Sequence, residues 1–213
     1  MNVMSHEIIN TITLISSLAE NLEGLLSDDI SEIDYFELSK GLNIIKNRSN
    51  QLNVFVDNYR KLSELPLPNK SKTNLITIVN DVIYNCKQEL GVIDVTVKSI
   101  NESVIVNIDQ KQIEQVLLNL LINSIYALKD TLNPEITVEF KKDDKRTIVS
   151  IIDNGIGVPD KIKDNIFMPY YTTRKNGSGI GLTLSRSIMQ VHNGKLLFNS
   201  NNNSTCFSLV FIT

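Results

Sequence analysis

Apolar residues in the first third of the chain recur at alternating steps of four and three. Ile8, Ile12, Ile15, Ala19, Leu22 and Leu26 form one such series. Leu38, Leu42, Ile45, Ser49, Leu52, Val56 and Tyr59 form a second. Each spacing predicts an amphipathic helix, and the short polar run Ser27-Asp28-Asp29-Ile30-Ser31 between them predicts an antiparallel helical hairpin. A lone hairpin cannot bury both stripes, so a four-helix bundle made from two copies is the expected arrangement. The run Leu65-Pro66-Leu67-Pro68-Asn69-Lys70 cannot continue a helix and marks a stiff connection. The expected domains are therefore a hairpin over 1–64, a linker over 65–73 and a second domain over 74–213.

Beyond the linker the pattern is mixed. Helices are expected over 75–90, 110–129 and 179–192, the first with Gly91 past its end and the last closed by Asn193-Gly194. Alternation predicts strands over 94–100 and 103–108, joined as a hairpin by a tight turn at Asn101-Glu102. A second hairpin is expected from 135–142 and 146–153, and final strands from 195–200 and 205–212. Residues 160–178 read as irregular. Strands and helices do not alternate strictly, which points to an α+β two-layer sandwich and not to a doubly wound parallel sheet.

Composition narrows the function classes. The chain has 213 residues, 42% of them hydrophobic, with a net charge of −3. That balance gives no reason to expect duplex nucleic acid or an anionic membrane as partner. No apolar run approaches the roughly 18 residues of a membrane span, and the first residues lack the pattern of a signal peptide. Cys86 and Cys206 match no metal spacing and are expected to be free thiols of a cytoplasmic protein.

Two glycine signatures carry the chemistry. Asp153-Asn154-Gly155-Ile156-Gly157 ends a predicted strand, and Gly177-Ser178-Gly179-Ile180-Gly181 opens onto a predicted helix. A carboxylate beside one turn can accept the exocyclic amine of adenine, and the bare backbone N–H groups of the other can face phosphates. Asn119 and Asn123 are four apart, so they share one face of an otherwise apolar helix. They either cap loops or bond each other, or they offer carbonyl oxygens to Mg²⁺ and its waters.

In this order and spacing, the asparagine helix and the two turns resemble the ATP-binding domain shared by sensor histidine kinases, DNA gyrase and mismatch-repair ATPases. The resemblance covers about residues 74–213. It implies that Asp153 recognises adenine and that Asn123, with Asn119 beside it, holds Mg²⁺. It also implies that Gly155, Gly157, Thr173, Gly177, Gly179, Gly181 and Leu182 line the ATP site under a mobile lid over 161–178. Phe167 and Tyr170 are expected to pack the lid base. Arg174 and Lys175 are candidates for phosphate contacts. One position departs from the pattern: many histidine kinases carry a lysine three residues after the magnesium asparagine, where this chain has Tyr126. Arg174 is the expected substitute.

Of the two histidines, His192 precedes Asn193-Gly194 at a helix end and reads as structural. His6 lies roughly 160° around the helix from the Ile8 stripe, at about 100° per residue. The run Ser5-His6-Glu7-Ile8-Ile9-Asn10-Thr11 resembles the phosphoacceptor box of histidine kinases. The resemblance implies autophosphorylation of His6 from ATP, with Glu7 orienting the ring and taking its proton, and Asn10 serving the reverse phosphatase reaction. It further implies a homodimer, a response-regulator receiver domain as acceptor, and a sensor region upstream through which any membrane attachment would run. The competing expectations are a nucleotide-binding scaffold and a phosphatase-biased transmitter with little kinase turnover.

Overall fold

The computed structural model describes residues 2–23, 32–63, 65–99, 103–174, 177–201 and 203–212. Two compact units divide at Lys61 and Leu62. The first holds helix α1 (Asn2–Glu23) and most of α2 (Glu32–Ser63); the predicted loop Ser27–Ser31 lies outside the described residues. Along α1 the more covered positions are Thr11, Ile15, Leu18 and Leu22, and along α2 they include Leu38, Gly41, Ile45 and Leu52. Leu22 lies directly against Gly41, where an added Cβ would meet its side chain. The heptad stripe is wider than this seam. Ile12 (48% exposed), Leu42 (58%) and Val56 (47%) belong to it and remain uncovered.

The second unit is an α+β sandwich, as the pattern of elements predicts. Strand β1 (Ser71–Asn74) precedes α3 (Leu75–Asn85) and the short α4 (Lys87–Leu90). Strands β2 (Asp94–Lys98) and β3 (Ile105–Ile108) lead into α5 (Gln110–Ala127). Then come β4 (Glu135–Lys142), β5 (Arg146–Asp153), α6 (Asp160–Lys163), α7 (Gly181–Val191), β6 (Lys195–Asn201) and β7 (Ser204–Ile212). The main sheet runs β2-β4-β5-β7-β6, with β2 and β4 parallel and the other neighbours antiparallel.

The expected hairpin between the strands of 94–100 and 103–108 does not form. β2 pairs in parallel with β4, and β3 pairs antiparallel with β1 in a separate two-stranded sheet. The expected turn residues Asn101 and Glu102 lie outside the described residues. Alternation reports that a segment is a strand, but two short half-exposed strands carry little information about which partner each will take. The hairpin β4–β5 does form, with Ile136 opposite Asp153 and Lys142 opposite Thr147. Its strands alternate strongly, and Val138, Phe140, Val149 and Ile151 enter the core with Ile113, Val116, Leu120, Leu121, Ile188 and Met189 from the helices.

Local polar contacts fix the ends of the helices that carry the site. Asp109 caps α5 by accepting from the Gln112 N–H (3.1 Å), and its other oxygen accepts from the Asn69 N–H (2.9 Å). The Asp109 N–H donates to Nε2 of His192 (3.0 Å), so Nδ1 carries the ring proton and donates to the Ile188 carbonyl (2.8 Å). His192 thus ties the end of α7 to the start of α5, the structural role its position predicts. Burial holds its pKa below the ordinary histidine value; the nearby Lys70 adds to this, and the Ile188 bond and Asp109 oppose it. A histidine whose folded pKa is depressed stabilises the fold above its unfolded pKa of about 6.5, and that contribution is lost as pH falls. The thermal midpoint is therefore expected to drop between pH 7 and pH 5, followed by circular dichroism. His192→Gln should flatten this slope; an equally steep slope in the variant would assign it to other groups.

Candidate nucleotide site

A cavity of about 420 Å³ opens between α5, the end of β5 and the segment leading into α7. Its lining joins residues far apart in sequence: Asn119, Asn123 and Tyr126 from α5, Asp153, Gly157, and Thr173, Arg174, Gly177, Gly179, Gly181 and Leu182. Apolar walls come from Ile156, Ile162, Ile166 and Phe207. A largely apolar cleft with a few convergent polar groups is the common form of a small-molecule site.

Asp153 is the floor. On β5 the core-facing positions are Thr147, Val149, Ile151 and Asp153, so strand alternation carries the carboxylate inward in line with the apolar series. It is 3% exposed. Oδ2 accepts from the Ser124 hydroxyl (2.9 Å) and Oδ1 from the Gly155 N–H (3.1 Å). Burial raises its pKa, and those two hydrogen bonds partly offset the rise. Each carboxylate oxygen can accept a further bond, so the group can still receive a donor from the cavity. Gly155 has to be glycine for close approach: a Cβ there would stand 2.7 Å from the Ala127 carbonyl oxygen and 2.9 Å from Asp153 Oδ1.

The two asparagines of α5 face the cavity together, as their spacing predicts, but differ in what they can offer. Asn119 donates through Nδ2 to Ser185 Oγ (3.0 Å), which ties α5 to α7, and its carbonyl oxygen presses against Gly181. Asn123 presents Oδ1 to a cation, accepting from Arg174 Nη2 at 2.5 Å. Of the pair, Asn123 has the donor chemistry that fits Mg²⁺ carried on phosphates. Among the described residues no cluster of three or more His, Cys, Asp or Glu could hold a metal by itself.

The stretch expected as a lid is anchored in its first half. Lys163 Nζ donates to the Ser200 carbonyl (2.7 Å), Thr183 Oγ1 to the Phe167 carbonyl (3.0 Å), and the Tyr170 N–H to the Gly179 carbonyl (2.9 Å). Phe167 meets Phe198 edge-on at 6.4 Å, so Phe167 and Tyr170 do pack the base. Arg174 lies between Tyr170 and Gly179, the two residues of that backbone bond. The Arg174 guanidinium donates to Asn123 Oδ1. Lys175 lies outside the described residues. His6, Glu7 and Asn10 fall on α1, and their side chains lie outside the described set.

Sequence reasoning missed Ser124 and the part played by Tyr126. A serine buried on an apolar helix face needs an acceptor, and that signal pointed to a polar group across the core. Tyr126 stands out only as a departure from the family pattern. Its ring lies 4.3 Å from Arg174 Cζ and 5.8 Å from Lys129 Nζ.

Residues 108–212 match the family described as histidine kinase-, DNA gyrase B- and HSP90-like ATPase. The sensory histidine kinase/phosphatase NtrB of Vibrio alginolyticus is 28% identical over 97% of this chain and 59% of its own length. The signal transduction histidine-protein kinase AtoS of Escherichia coli is 27% identical over 91% of this chain and 31% of its own length. The chain therefore spans about a third to three fifths of these relatives. Among solved structures, the catalytic domain of histidine kinase ThkA superposes with a TM-score of 0.62 at 28% identity, over 68% of this chain and 95% of that one. ThkA in complex with the response regulator TrrA gives 0.67 at 26%, over 98% of this chain and 59% of that one. In its helical pair and in an α+β domain that matches this ATPase family in sequence and fold, the chain is similar to the sensor histidine kinases.

Proposed function

We propose that the chain transfers the γ-phosphoryl group of ATP to His6 and then to an aspartate of a response-regulator receiver domain. The observation that carries this reading is the convergence of buried Asp153, Asn123 and the Gly177–Gly181 turn on one cavity. The same chain carries a histidine box on a separate helical unit. Asp153 accepts the adenine amine while Ser124 and Gly155 hold its orientation. Gly177, Gly179 and Gly181 let the backbone approach the phosphates, with Gly157, Thr173 and Leu182 beside them. Bound with ATP, Mg²⁺ supplies neutralisation of phosphate charge, and Asn123, seconded by Asn119, is the residue to hold it.

The transfer is a nucleophilic displacement. A neutral ring nitrogen of His6 attacks the γ-phosphorus; a P–N bond forms as the bond to the β,γ-bridging oxygen breaks, releasing ADP. Glu7 accepts the proton from the other ring nitrogen. In the second step the receiver aspartate forms a P–O bond as the P–N bond breaks. Asn10, one turn from His6, is placed by sequence for the reverse reaction, in which water is the acceptor. The ThkA–TrrA complex supports a receiver domain as partner. The uncovered Ile12, Leu42 and Val56 support a second copy packed along the hairpin. We also place this portion in the cytoplasm, where ATP is available; no helix among the described residues is long and apolar enough to cross a membrane.

The test is incubation of the full chain with γ-labelled ATP and Mg²⁺, beside His6→Ala and Asn123→Ala. Acid-labile, base-stable label is expected on the parent chain and on neither variant. Label persisting in His6→Ala would refute the acceptor. Nucleotide binding without any label would favour the scaffold reading.

A further inference from the structure

The amide oxygen of Asn123, proposed above to hold a phosphate-bound cation, is already engaged by a cation. Arg174 Nη2 donates to Asn123 Oδ1 at 2.5 Å and lies 3.4 Å from the Asn123 backbone oxygen. The guanidinium is simultaneously stacked on Tyr126, one turn further along α5, with Cζ 4.3 Å from the ring centroid. The arginine arrives from the segment between Tyr170 and Gly179, whose two ends are pinned by the Tyr170 N–H to Gly179 carbonyl bond. Its own N–H bonds Thr172 Oγ1 (3.1 Å), which shapes a turn in that segment. Arg174 is thus held by three different groups, two of them on α5.

Two of these contacts conflict with a loaded site. A guanidinium and a nucleotide-borne divalent cation on the same Asn123 oxygen are like charges a few ångströms apart, so each disfavours the other. A guanidinium on an aromatic face is attracted by the ring quadrupole, and the attraction grows with desolvation. The ring therefore biases the arginine toward the engaged position, and any ligand that needs the oxygen must overcome that bias.

We propose that Tyr126 is a positioning residue that parks Arg174 on Asn123 in the nucleotide-free site. The arginine then competes with the metal of Mg·ATP for the Asn123 carbonyl and turns to the phosphates once displaced. The proposal rests on the ATP-site reading above and assigns to Tyr126 a task that a lysine at that position could not perform. A lysine would repel the guanidinium instead of holding it.

A fluorescent ATP analogue titrated into the full chain tests this. With Mg²⁺, Tyr126→Leu should tighten binding about three- to tenfold, since it removes the parking contact and spares Arg174. Tyr126→Phe keeps the ring and should stay within about twofold of the parent. With the metal chelated, the parent and Tyr126→Leu should also agree within about twofold, because the carbonyl is then uncontested. In an Arg174→Ala background, Tyr126→Leu should produce no tightening. Weaker or unchanged Mg·ATP binding in Tyr126→Leu overturns the proposal, as does equal tightening in the Arg174→Ala background. A readout independent of nucleotide is the Arg174 side-chain NMR signal. Ring current should shift it upfield in the parent and Tyr126→Phe, and Tyr126→Leu should lose the shift. If the parent binds no nucleotide, the ATP-site reading fails, and an unshifted Arg174 signal would separately sink the parked contact.

Discussion

Asp153→Asn is expected to cost roughly 10- to 140-fold in ATP affinity while leaving the nucleotide-free fold as stable as before or more so. The loss follows from donor and acceptor counting. The Ser124 hydroxyl and the Gly155 N–H each take one carboxylate oxygen, and in the proposed ATP complex the adenine amine is a third donor to the same group. An amide at this position has one acceptor atom. The Gly155 N–H is a fixed donor and claims it, so the amide NH₂ is left facing the adenine NH₂. Losing a hydrogen bond to a charged group is worth about 1.5–3 kcal/mol, and about 1.4 kcal/mol is tenfold in affinity. The stability claim has the opposite sign. Burial raises the Asp153 pKa, so the folded state binds the proton more tightly than the unfolded chain. Ionised Asp153 therefore weakens the fold at every pH above its unfolded value of about 3.9, and a neutral side chain removes that penalty. Isothermal titration with ATP and GTP, paired with thermal melting, separates the two effects. Guanine presents a carbonyl where adenine presents its amine, so the variant should also lose most of the preference for ATP over GTP. A variant that binds ATP within threefold of the parent would remove Asp153 from the adenine contact.

The parts of this molecule legible in the sequence are those where one local pattern decides. α5 and the β4–β5 hairpin have strong periodicity and emerge at the expected places. β1 carries Ser71-Lys72-Thr73-Asn74, with no apolar alternation, and exists because its backbone pairs with β3. All but its last residue, Asn74, lies within the stretch expected as a linker. The β2 and β3 strands were visible as strands, but their partners depend on where α5 and β4 pack, which no short-range signal encodes. The same division runs through the site. Asp153, Asn123 and the glycine turns are recognisable because backbone geometry and ligand chemistry restrict the residue types they can use. Ser124 and Tyr126 act through groups brought to them by the fold, so their partners become visible only when β5 and the 170–179 segment are in place. The heptad stripe of the hairpin was read correctly as apolar, yet Ile12 and Leu42 lie outside the seam between α1 and α2. Periodicity shows how wide an apolar face is and leaves open how much of it one neighbour covers.

Gly179→Ala is expected to lower stability by about 2–5 kcal/mol and to abolish tight ATP binding. Gly179 has φ +66°, a conformation that costs a residue with a Cβ about 1–2 kcal/mol. Its surroundings add a second cost. A Cβ would stand 2.7 Å from both the Cα and the carbonyl oxygen of Tyr170. These are backbone atoms and cannot turn aside as a side chain can. Tyr170 is itself held at φ +66° and donates its N–H to the Gly179 carbonyl, so the two residues form one clamp. Forcing them apart costs a further 1–3 kcal/mol, typical of overpacking. It also moves the turn that feeds α7, with Gly181 against Asn119 and Leu182 on the cavity wall. The neighbouring Gly177→Ala provides the contrast. There the obstruction is the Thr172 hydroxyl, a side-chain atom that can rotate, and no positive φ is involved. Urea unfolding of the two variants should therefore give a marked drop in midpoint for Gly179→Ala and a shift under about 1 kcal/mol for Gly177→Ala. Equal midpoints in the two variants would mean that the Tyr170–Gly179 clamp does not hold the segment in solution.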